Sequence, residues 1–183
     1  MKPTPSPQTL WYFAYGANMA AETMTRRGLA PRRSAMARLD GYVMRFSQPG
    51  IPLVEPGFAN IEPDAEAQVF GVVHELLVEE LSRLDRFEGR AYRHERVMVI
   101  AQGLGELEAV AYRNPRKHAA RTPSRRYRGL LLQGARQHHL PQEYIDALEA
   151  HPARHVPVLS ALLTASVSAI ERARHLLHGA GRG

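Results

Sequence analysis

The chain has 183 residues, of which 44% are hydrophobic and 23% charged, as is ordinary for a soluble globular protein with one substantial core. It contains no cysteine, which excludes disulfides, thiolate metal sites and cysteine nucleophiles. Its formal net charge of +6 does not by itself choose between nucleic acid, membrane surfaces and small anionic substrates as partners.

The two ends of the chain differ in composition from its middle. Residues 1–9 carry three prolines and no apolar run of the kind that a signal peptide needs, so we expect a disordered leader and a cytoplasmic protein. Residues 10–150 have the mixed composition of a folded domain. Residues 151–183 predict a helical extension packed on that domain. Its apolar run is too short, and too rich in serine and threonine, to span a bilayer.

A sharp turn near the start of the chain is its most informative feature. The aromatic segment Tyr12-Phe13-Ala14-Tyr15 predicts a strand that stops at Gly16-Ala17-Asn18, and a helical stretch over residues 19–27 follows at once. Such a turn presents unpaired backbone N–H groups at the positive end of a helix dipole, where they can bind a carboxylate or phosphate. The alternative is an ordinary strand-to-helix turn, in which Gly and Asn act only as turn and cap residues.

The remaining residues predict strands first and helices last. The predicted strands cover residues 35–46, 58–61 (ended by Glu62-Pro63), 68–76 (with a bend or close backbone approach at Gly71), 92–101 and 107–112. The predicted helices cover residues 78–88, 124–138 and 141–151, and the predicted loops cover 48–57, 102–106 and 114–123. This order favours an α+β domain, with a mixed or antiparallel sheet closed into a barrel-like form and flanked by helices, over a doubly wound fold.

A carboxylate at the end of the central helix is the second informative feature. Glu88 lies in the last turn of the predicted helix, beside Gly89, where the negative end of the helix dipole disfavours its charged form. That placement does not stabilise the helix, but it suits a general base that must also return a proton near neutral pH. The alternative is a solvated glutamate at a helix end. Asp85, one turn earlier, is predicted to be a surface or supporting carboxylate.

The chain has no sequence motif for metal-dependent catalysis or for a serine nucleophile. The nine histidines lack metal-binding spacing, and neither a His-Glu-x-x-His pattern nor a Gly-x-Ser-x-Gly turn occurs. We therefore expect no metal. Four other tyrosines lie in predicted strands or helices, and most of them are predicted to be core residues with satisfied hydroxyls: Tyr42, Tyr92, Tyr112 and Tyr144.

A basic segment over residues 116–128 leaves three interpretations open. It holds six Lys or Arg residues and no acidic residue. Such a segment can be a solvated loop, a loop that attracts a small anionic substrate, or a nucleic-acid patch helped by Tyr127. The first two are favoured, and we expect neither a nucleic-acid nor a membrane partner.

Three groups of motifs occur in order along residues 11–150. The first is Tyr12-Phe13-Ala14-Tyr15-Gly16-Ala17-Asn18-Met19, and the second is Val69-Phe70-Gly71-Val72-Val73 followed by Leu84-Asp85-Arg86-Phe87-Glu88-Gly89. The third combines Pro123-Ser124-x-x-Tyr127, Gly134-Ala135 and Leu140-Pro141-x-x-Tyr144. In this order and at these separations they resemble the γ-glutamylcyclotransferase family, which also contains the AIG2-like proteins, and within it the branch that acts on γ-glutamyl amino acids.

The resemblance implies a γ-glutamylcyclotransferase-like fold, a reaction and a site. In that reaction the α-amino group of a γ-glutamyl unit attacks its own γ-carbonyl, which gives 5-oxoproline and a free amine without any cofactor. By resemblance Glu88 moves the proton, and the turn at residues 15–18 holds the α-carboxylate and polarises a carbonyl. The residues that the resemblance assigns to substrate binding are Tyr12, Phe13, Ala14, Tyr15, Gly16, Ala17, Asn18 and Tyr127. Family members include dimers, so the resemblance is compatible with a homodimer.

Two departures from the family pattern bear on substrate identity. Ala17 stands where the family has serine, and a lost hydroxyl hydrogen bond costs on the order of 1 kcal/mol. The segment between Gly89 and Tyr92 is also short for the family, which can reshape the pocket wall. The altered turn and the basic segment motivate an alternative function, a non-catalytic module on the same fold that binds a ligand or partner.

Overall fold

Five strands and four α-helices make up the chain within residues 8–51, 54–89 and 91–156, which the computed structural model describes. The strands are β1 (Thr9–Ala14), β2 (Ser34–Ile51), β3 (Glu55–Leu77), β4 (Arg93–Ala101) and β5 (Gly105–Arg113). The helices are α1 (Ala21–Arg26), α2 (Val78–Glu88), α3 (Arg125–Gln137) and α4 (Gln142–Ala150). A 3-10 turn over Ala17–Met19 precedes α1, so that helix begins two residues later than predicted.

The strands close into a barrel in the order β1-β3-β2-β4-β5. β1 pairs antiparallel with β3, from Thr9 opposite Leu77 to Ala14 opposite Val72. It also pairs parallel with β5, which closes the barrel and makes the sheet mixed. The α+β class with a barrel-like mixed sheet flanked by helices is therefore confirmed.

β2 and β3 form one long hairpin where the sequence predicted a loop and a short strand. β2 continues to Ile51, and β3 runs without interruption from Glu55 through Pro63 to Leu77, so both predictions were wrong. The register of the pair shifts between Asp40 and Tyr42, and the residue opposite Tyr42 is Pro63. A proline removes one ladder donor, and a strand tolerates that loss beside such an irregularity.

Gly71 lets β1 and β3 approach each other closely, as predicted. A Cβ atom at this position would lie 2.3 Å from the carbonyl oxygen of Ala14 and 2.8 Å from a ring carbon of Phe13. Both Ala14 and Phe13 belong to the buried core. The backbone at the end of β1, which leads into the predicted turn, is thus held directly on the barrel wall.

α2 occupies the predicted range and ends at the predicted residue. Leu81 and Leu84 are buried, and Gly89 follows the helix with φ of 75°. Phe87, three residues after Leu84, is instead 42% exposed. The ring of Phe87 lies under the guanidinium of Arg27 instead of in the core.

α3 packs against the turn that follows β1. A Cβ atom at Gly134 would lie 2.5 Å from the Cβ of Met19, so only a glycine permits this approach. The first turn of α3 is capped by Ser124, whose hydroxyl accepts from the N–H of Tyr127 at 3.0 Å. The buried Glu55 accepts from the N–H of Ser124 at 2.8 Å, and burial raises the pKa of its carboxyl.

The predicted leader and C-terminal extension fall largely outside the described residues. Within the described ranges, no helix has the length and apolar character needed to cross a membrane.

Candidate active site

A cavity of about 120 Å³ opens where β1 ends, beside the C-terminal end of α2. Its walls combine aromatic rings with a few polar and charged groups. The lining consists of Tyr12, Tyr15, Gly16, Ala17, Asn18, Arg27, Phe58, Ala59, Phe87, Glu88, Tyr92, Tyr112 and Tyr127. The fold thus brings together the two features that the sequence singled out, the turn after β1 and the carboxylate at the end of α2.

Glu88 is held by two donors on one of its oxygens. Oε1 lies 2.8 Å from Nδ2 of Asn18 and 2.6 Å from Nη1 of Arg27. The side chain is 16% exposed, so it is neither a solvated surface group nor fully enclosed. Oε2 has no hydrogen-bond partner among the described residues. The carboxylate is therefore oriented by the protein and keeps one oxygen for a ligand.

Asn18 connects Glu88 to the barrel wall. Its Nδ2 also lies 2.7 Å from the hydroxyl of Tyr12, and its backbone carbonyl lies 3.0 Å from Nε2 of His74. A carbonyl can only accept, so Nε2 of His74 carries a proton and Nδ1 accepts from the hydroxyl of Ser34 at 2.8 Å. Burial, together with the neighbouring His138, lowers the pKa of His74 to about 4. The ring is therefore neutral near pH 7 and fixes Asn18 without adding charge.

The turn after β1 lines the cavity and carries backbone donors without partners among the described residues. The N–H groups of Met19 and Ala20 bond back to the carbonyls of Gly16 and Ala17. The N–H groups of Ala17 and Asn18, in contrast, have no acceptor within the described part of the chain. Two adjacent free donors in the wall of a partly enclosed cavity suit a carboxylate or a carbonyl oxygen that gains negative charge.

Tyrosine hydroxyls supply the neutral polar groups of the cavity. Burial raises the pKa of five tyrosines above the usual range, so all stay protonated near neutral pH: Tyr12, Tyr15, Tyr92, Tyr112 and Tyr127. The hydroxyl of Tyr127 accepts from the N–H of Ala59 at 3.2 Å, and that of Tyr12 accepts from Asn18. Each of these two hydroxyls therefore keeps its own proton for donation to a ligand.

The remaining tyrosine hydroxyls support the wall. Tyr92 donates to the carbonyl of Ala59 at 2.6 Å, and Tyr15 donates to the carbonyl of Tyr112. The hydroxyl of Tyr112 lies 2.5 Å from Oδ1 of Asp85. Asp85 is therefore a supporting carboxylate, one of the two roles that the sequence predicted for it.

Gly16 keeps room for the hydroxyl of Tyr127. A Cβ atom on Gly16 would lie 3.1 Å from that oxygen and 3.8 Å from the Cβ of Ala59. The glycine of the turn therefore has a packing reason in addition to its exposed backbone, because a side chain there would press on a hydroxyl that lines the cavity.

A second cavity is larger but lacks charged groups. It has a volume of about 490 Å³ and lies between α1 and the wall around His74 and His138. Neither a carboxylate nor a guanidinium lines it. We favour the smaller cavity as the site of chemistry because it holds an oriented carboxylate, a guanidinium and free backbone donors. Among the described residues, no group of three or more His, Asp or Glu side chains is arranged to hold a metal ion.

The structure brings most of the predicted substrate contacts to one cavity. The predicted residues that line it, with Glu88, are Tyr12, Tyr15, Gly16, Ala17, Asn18 and Tyr127. Phe13 and Ala14 do not line it, and we correct the prediction for these two residues. Phe13 is fully buried with its ring at Gly71, and the carbonyl of Ala14 lies at the same glycine.

Sequence reasoning missed six lining residues, Arg27, Phe58, Ala59, Phe87, Tyr92 and Tyr112. Tyr92 and Tyr112 were predicted to be core residues, and Arg27 was only the last residue of a predicted helix. Tyr92 lies three residues after Gly89, and this position close to Glu88 in the sequence is the one signal that could have assigned Tyr92 to the site. No local signal places Arg27 beside Glu88, because the two residues are 61 positions apart and meet only in the folded chain.

Residues 68–148 of the chain match the AIG2-like family. This stretch begins within β3 and ends within α4, and it contains Glu88 and Tyr127. The motif at residues 12–19 lies outside the matched stretch.

Two relatives are similar in sequence to most of this chain. The γ-glutamyl cyclotransferase gliK of Aspergillus fumigatus is 29% identical over 181 residues, covering 81% of this chain and 64% of that protein. The γ-glutamylcyclotransferase of Mus musculus is 28% identical over 148 residues, covering 78% of this chain and 79% of that protein. The chain therefore spans slightly less than two thirds of the fungal relative and about four fifths of the mouse one.

A solved structure described as a γ-glutamyl cyclotransferase shares the fold. It superposes with a TM-score of 0.71 at 28% identity, over 80% of this chain and 90% of that chain. The resemblance read from the motifs is thereby confirmed, and the relatives support a cyclotransferase function at the level of the family.

Proposed function

We propose that this chain, which matches the AIG2-like family over residues 68–148 and is similar to γ-glutamylcyclotransferases, is an enzyme that cyclises a γ-glutamyl group to 5-oxoproline. The substrate class is a γ-glutamyl amino acid, peptide or related amide, and the second product is the free amine. One observation carries the proposal: an oriented carboxylate with a free oxygen lines the same small aromatic cavity as two residues whose backbone N–H groups have no partner among the described residues.

The reaction needs groups that move protons and a group that stabilises negative charge. The α-ammonium of the substrate gives a proton to Glu88, and the neutral nitrogen then attacks the γ-carbonyl carbon. Negative charge grows on the carbonyl oxygen, where the N–H groups of Ala17 and Asn18 can receive it. The bond to the leaving nitrogen breaks as that nitrogen takes up a proton. Overall the ring nitrogen loses two protons and the leaving nitrogen gains two, so the reaction is balanced without water.

Proximity supplies a large part of the rate. The attacking nitrogen and the γ-carbonyl belong to one molecule and close a five-membered ring, so the enzyme has only to hold the bent conformer. The aromatic wall and the protonated hydroxyls of Tyr12 and Tyr127 provide a shaped cavity for that conformer. No step calls for a redox or electrophilic cofactor.

The test is a matched pair of substitutions on the same helix. Glu88→Gln keeps the size of the side chain but cannot accept a proton, and we expect 5-oxoproline formation to fall by at least ~100-fold, the scale of a lost general base. Glu79→Gln removes an exposed carboxylate from the first turn of α2 and should leave turnover within about twofold.

Both proteins are incubated with a panel of γ-glutamyl amino acids, and 5-oxoproline and the released amine are measured by mass spectrometry. Wild-type rates from a folded Glu88→Gln protein would remove Glu88 from the reaction. Binding of panel members by the unchanged protein, with no product from any of them, would instead favour a binding module on the same fold.

A further inference from the structure

We propose that Arg27 binds the α-carboxylate of the γ-glutamyl head group and thereby selects substrates that carry an intact α-amino acid. This inference rests on the proposed function. The family resemblance assigned binding of the substrate's α-carboxylate to the turn at residues 15–18, whereas we assign it to the side chain of Arg27. Its consequence is that the two free N–H donors of the turn are left for the γ-carbonyl oxygen.

The cavity contains one opposite pair of charges. Among its described lining residues, Arg27 carries the only positive charge and Glu88 the only negative charge. Their side chains are 22% and 16% exposed, and Nη1 of Arg27 lies 2.6 Å from Oε1 of Glu88. A γ-glutamyl head group also carries one charge of each sign, an α-carboxylate and an α-ammonium on the same carbon. Cavity and head group are thus complementary in both number and sign of charge.

The guanidinium is held in place while part of it stays available. The backbone N–H of Arg27 bonds to the carbonyls of Thr23 and Met24 at the end of α1, and the guanidinium carbon lies 5.2 Å from the centre of the Phe87 ring. Only Nη1 has a hydrogen-bond partner among the described residues. Nε and Nη2 therefore keep donors in the fork geometry that binds a carboxylate through two parallel hydrogen bonds.

Binding of the head group then exchanges one ion pair for two. In the free protein Arg27 and the amide of Asn18 share Oε1 of Glu88. When the α-carboxylate engages Arg27 and the α-ammonium engages Glu88, each charge meets an opposite one and none is left buried alone. The carboxylate also brings the ammonium to the group that must deprotonate it. A substrate without the carboxylate would have to compete with Arg27 for Glu88.

The experiment crosses enzyme variants with substrates that differ in a single carboxylate. The substrates are γ-glutamyl-alanine and 4-aminobutanoyl-alanine, which keeps the amine and the reacting carbonyl but lacks the α-carboxylate. The proteins are the unchanged chain, Arg27→Gln, Arg27→Lys and the control Arg26→Gln, which alters an exposed neighbour paired with Glu22. Release of alanine is followed for both compounds, and the analogue is assayed as a competitive inhibitor where its turnover is too slow to measure.

We expect Arg27→Gln to lower kcat/KM for γ-glutamyl-alanine by about 50-fold or more and to change the analogue by less than about threefold. Arg27→Lys should recover part of the loss, and Arg26→Gln should behave like the unchanged protein. Equal losses on both compounds would mean that Arg27 acts only through Glu88, which overturns the proposal. A loss that disappears when the alanine carboxylate is amidated would also overturn it, because Arg27 would then bind the leaving group.

Direct binding separates this proposal from the proposed function. Calorimetry with 5-oxoproline and γ-glutamyl-alanine needs no turnover. Binding that depends on Arg27, without formation of 5-oxoproline, would keep the carboxylate site and refute the cyclisation. Turnover that does not change when Arg27 is substituted would keep the cyclisation and refute the carboxylate site. The absence of both binding and turnover would refute both proposals.

Discussion

Nδ2 of Asn18 lies 2.8 Å from Oε1 of Glu88, although the two residues are 70 positions apart in the sequence. Asn18 belongs to the turn after β1, and Glu88 is the last residue of α2. The contact ties the element that carries the free backbone donors to the element that carries the proton acceptor. The same amide also lies 2.7 Å from the hydroxyl of Tyr12, so one side chain sets the relative positions of three groups in the cavity.

Asn18→Ala should therefore damage turnover more than stability. The substitution removes a donor to a charged oxygen, an interaction of about 1.5–3 kcal/mol, so kcat/KM should fall by roughly 10- to 100-fold. Steady-state kinetics with γ-glutamyl-alanine measure the effect. The control Gln142→Ala removes an exposed amide at the start of α4 and should leave kinetics unchanged. Unchanged kinetics for folded Asn18→Ala would show that this amide does not position Glu88 for the reaction.

Gly71→Ala should destabilise the barrel. The added methyl group would meet the Ala14 carbonyl oxygen at 2.3 Å, and a backbone atom cannot step aside as a flexible side chain does. We expect a loss of about 3 kcal/mol or more in the free energy of unfolding, measured by chemical denaturation. Gly129→Ala is the matched control, since nothing lies within 4 Å of its Cβ position in α3. There we expect a gain of roughly 0.5–1 kcal/mol. Similar stabilities for the two variants would contradict the close approach of β1.

His74 should make the stability of the fold depend on pH. Its pKa is about 4 in the folded protein, because the ring is buried, against an ordinary value of 6.5. Between these values the unfolded chain binds a proton that the folded chain does not. The contribution is therefore fully present above about pH 6.5 and is lost as pH falls towards 4, a change on the order of 3 kcal/mol.

The free energy of unfolding, measured between pH 7.5 and 4, tests this dependence. The slope of the free energy of unfolding against pH should be shallower in His74→Leu, by about the amount that one titrating group contributes. His139→Asn alters an exposed histidine with φ of 53°, a conformation that asparagine tolerates, and should keep the slope of the unchanged protein. If His74→Leu keeps the full slope, His74 is not the titrating group.

Local patterns were sufficient for the elements whose residues decide their own structure. The bounds of α2 are those predicted, with Gly89 directly after its last residue, and each end of α3 lies within one residue of its prediction. The close approach at Gly71 follows from a glycine inside a strand signal. The long β2–β3 hairpin could not be predicted in the same way. Its prolines and glycines are typical of a loop, and only the pairing of the two strands, with its register shifts, keeps them in the sheet.

The residues of the candidate site, too, were predictable only where they belong to a local feature of the sequence. The turn at Gly16 and the carboxylate of Glu88 are visible in the sequence because a strand break and a helix end are local features. Arg27 and Tyr112 are not, since Arg27 follows α1 and Tyr112 lies in β5, and only the folded chain brings them to one cavity. Strand geometry also separates neighbours in the first motif: Tyr12 reaches the cavity, whereas Phe13 packs into the core. A motif therefore marks a site without telling which of its side chains reach the ligand.

The central claim is that the substrate's own α-amine attacks the γ-carbonyl, and a pair of substrates tests it most directly. The unchanged protein is incubated with γ-glutamyl-alanine and with its α-N-acetyl derivative, whose nitrogen can neither lose a proton to Glu88 nor attack. Mass spectrometry should find 5-oxoproline and alanine in equal amounts from the first compound and neither product from the second. Release of alanine from the acetylated compound, or glutamate in place of 5-oxoproline, would contradict the account.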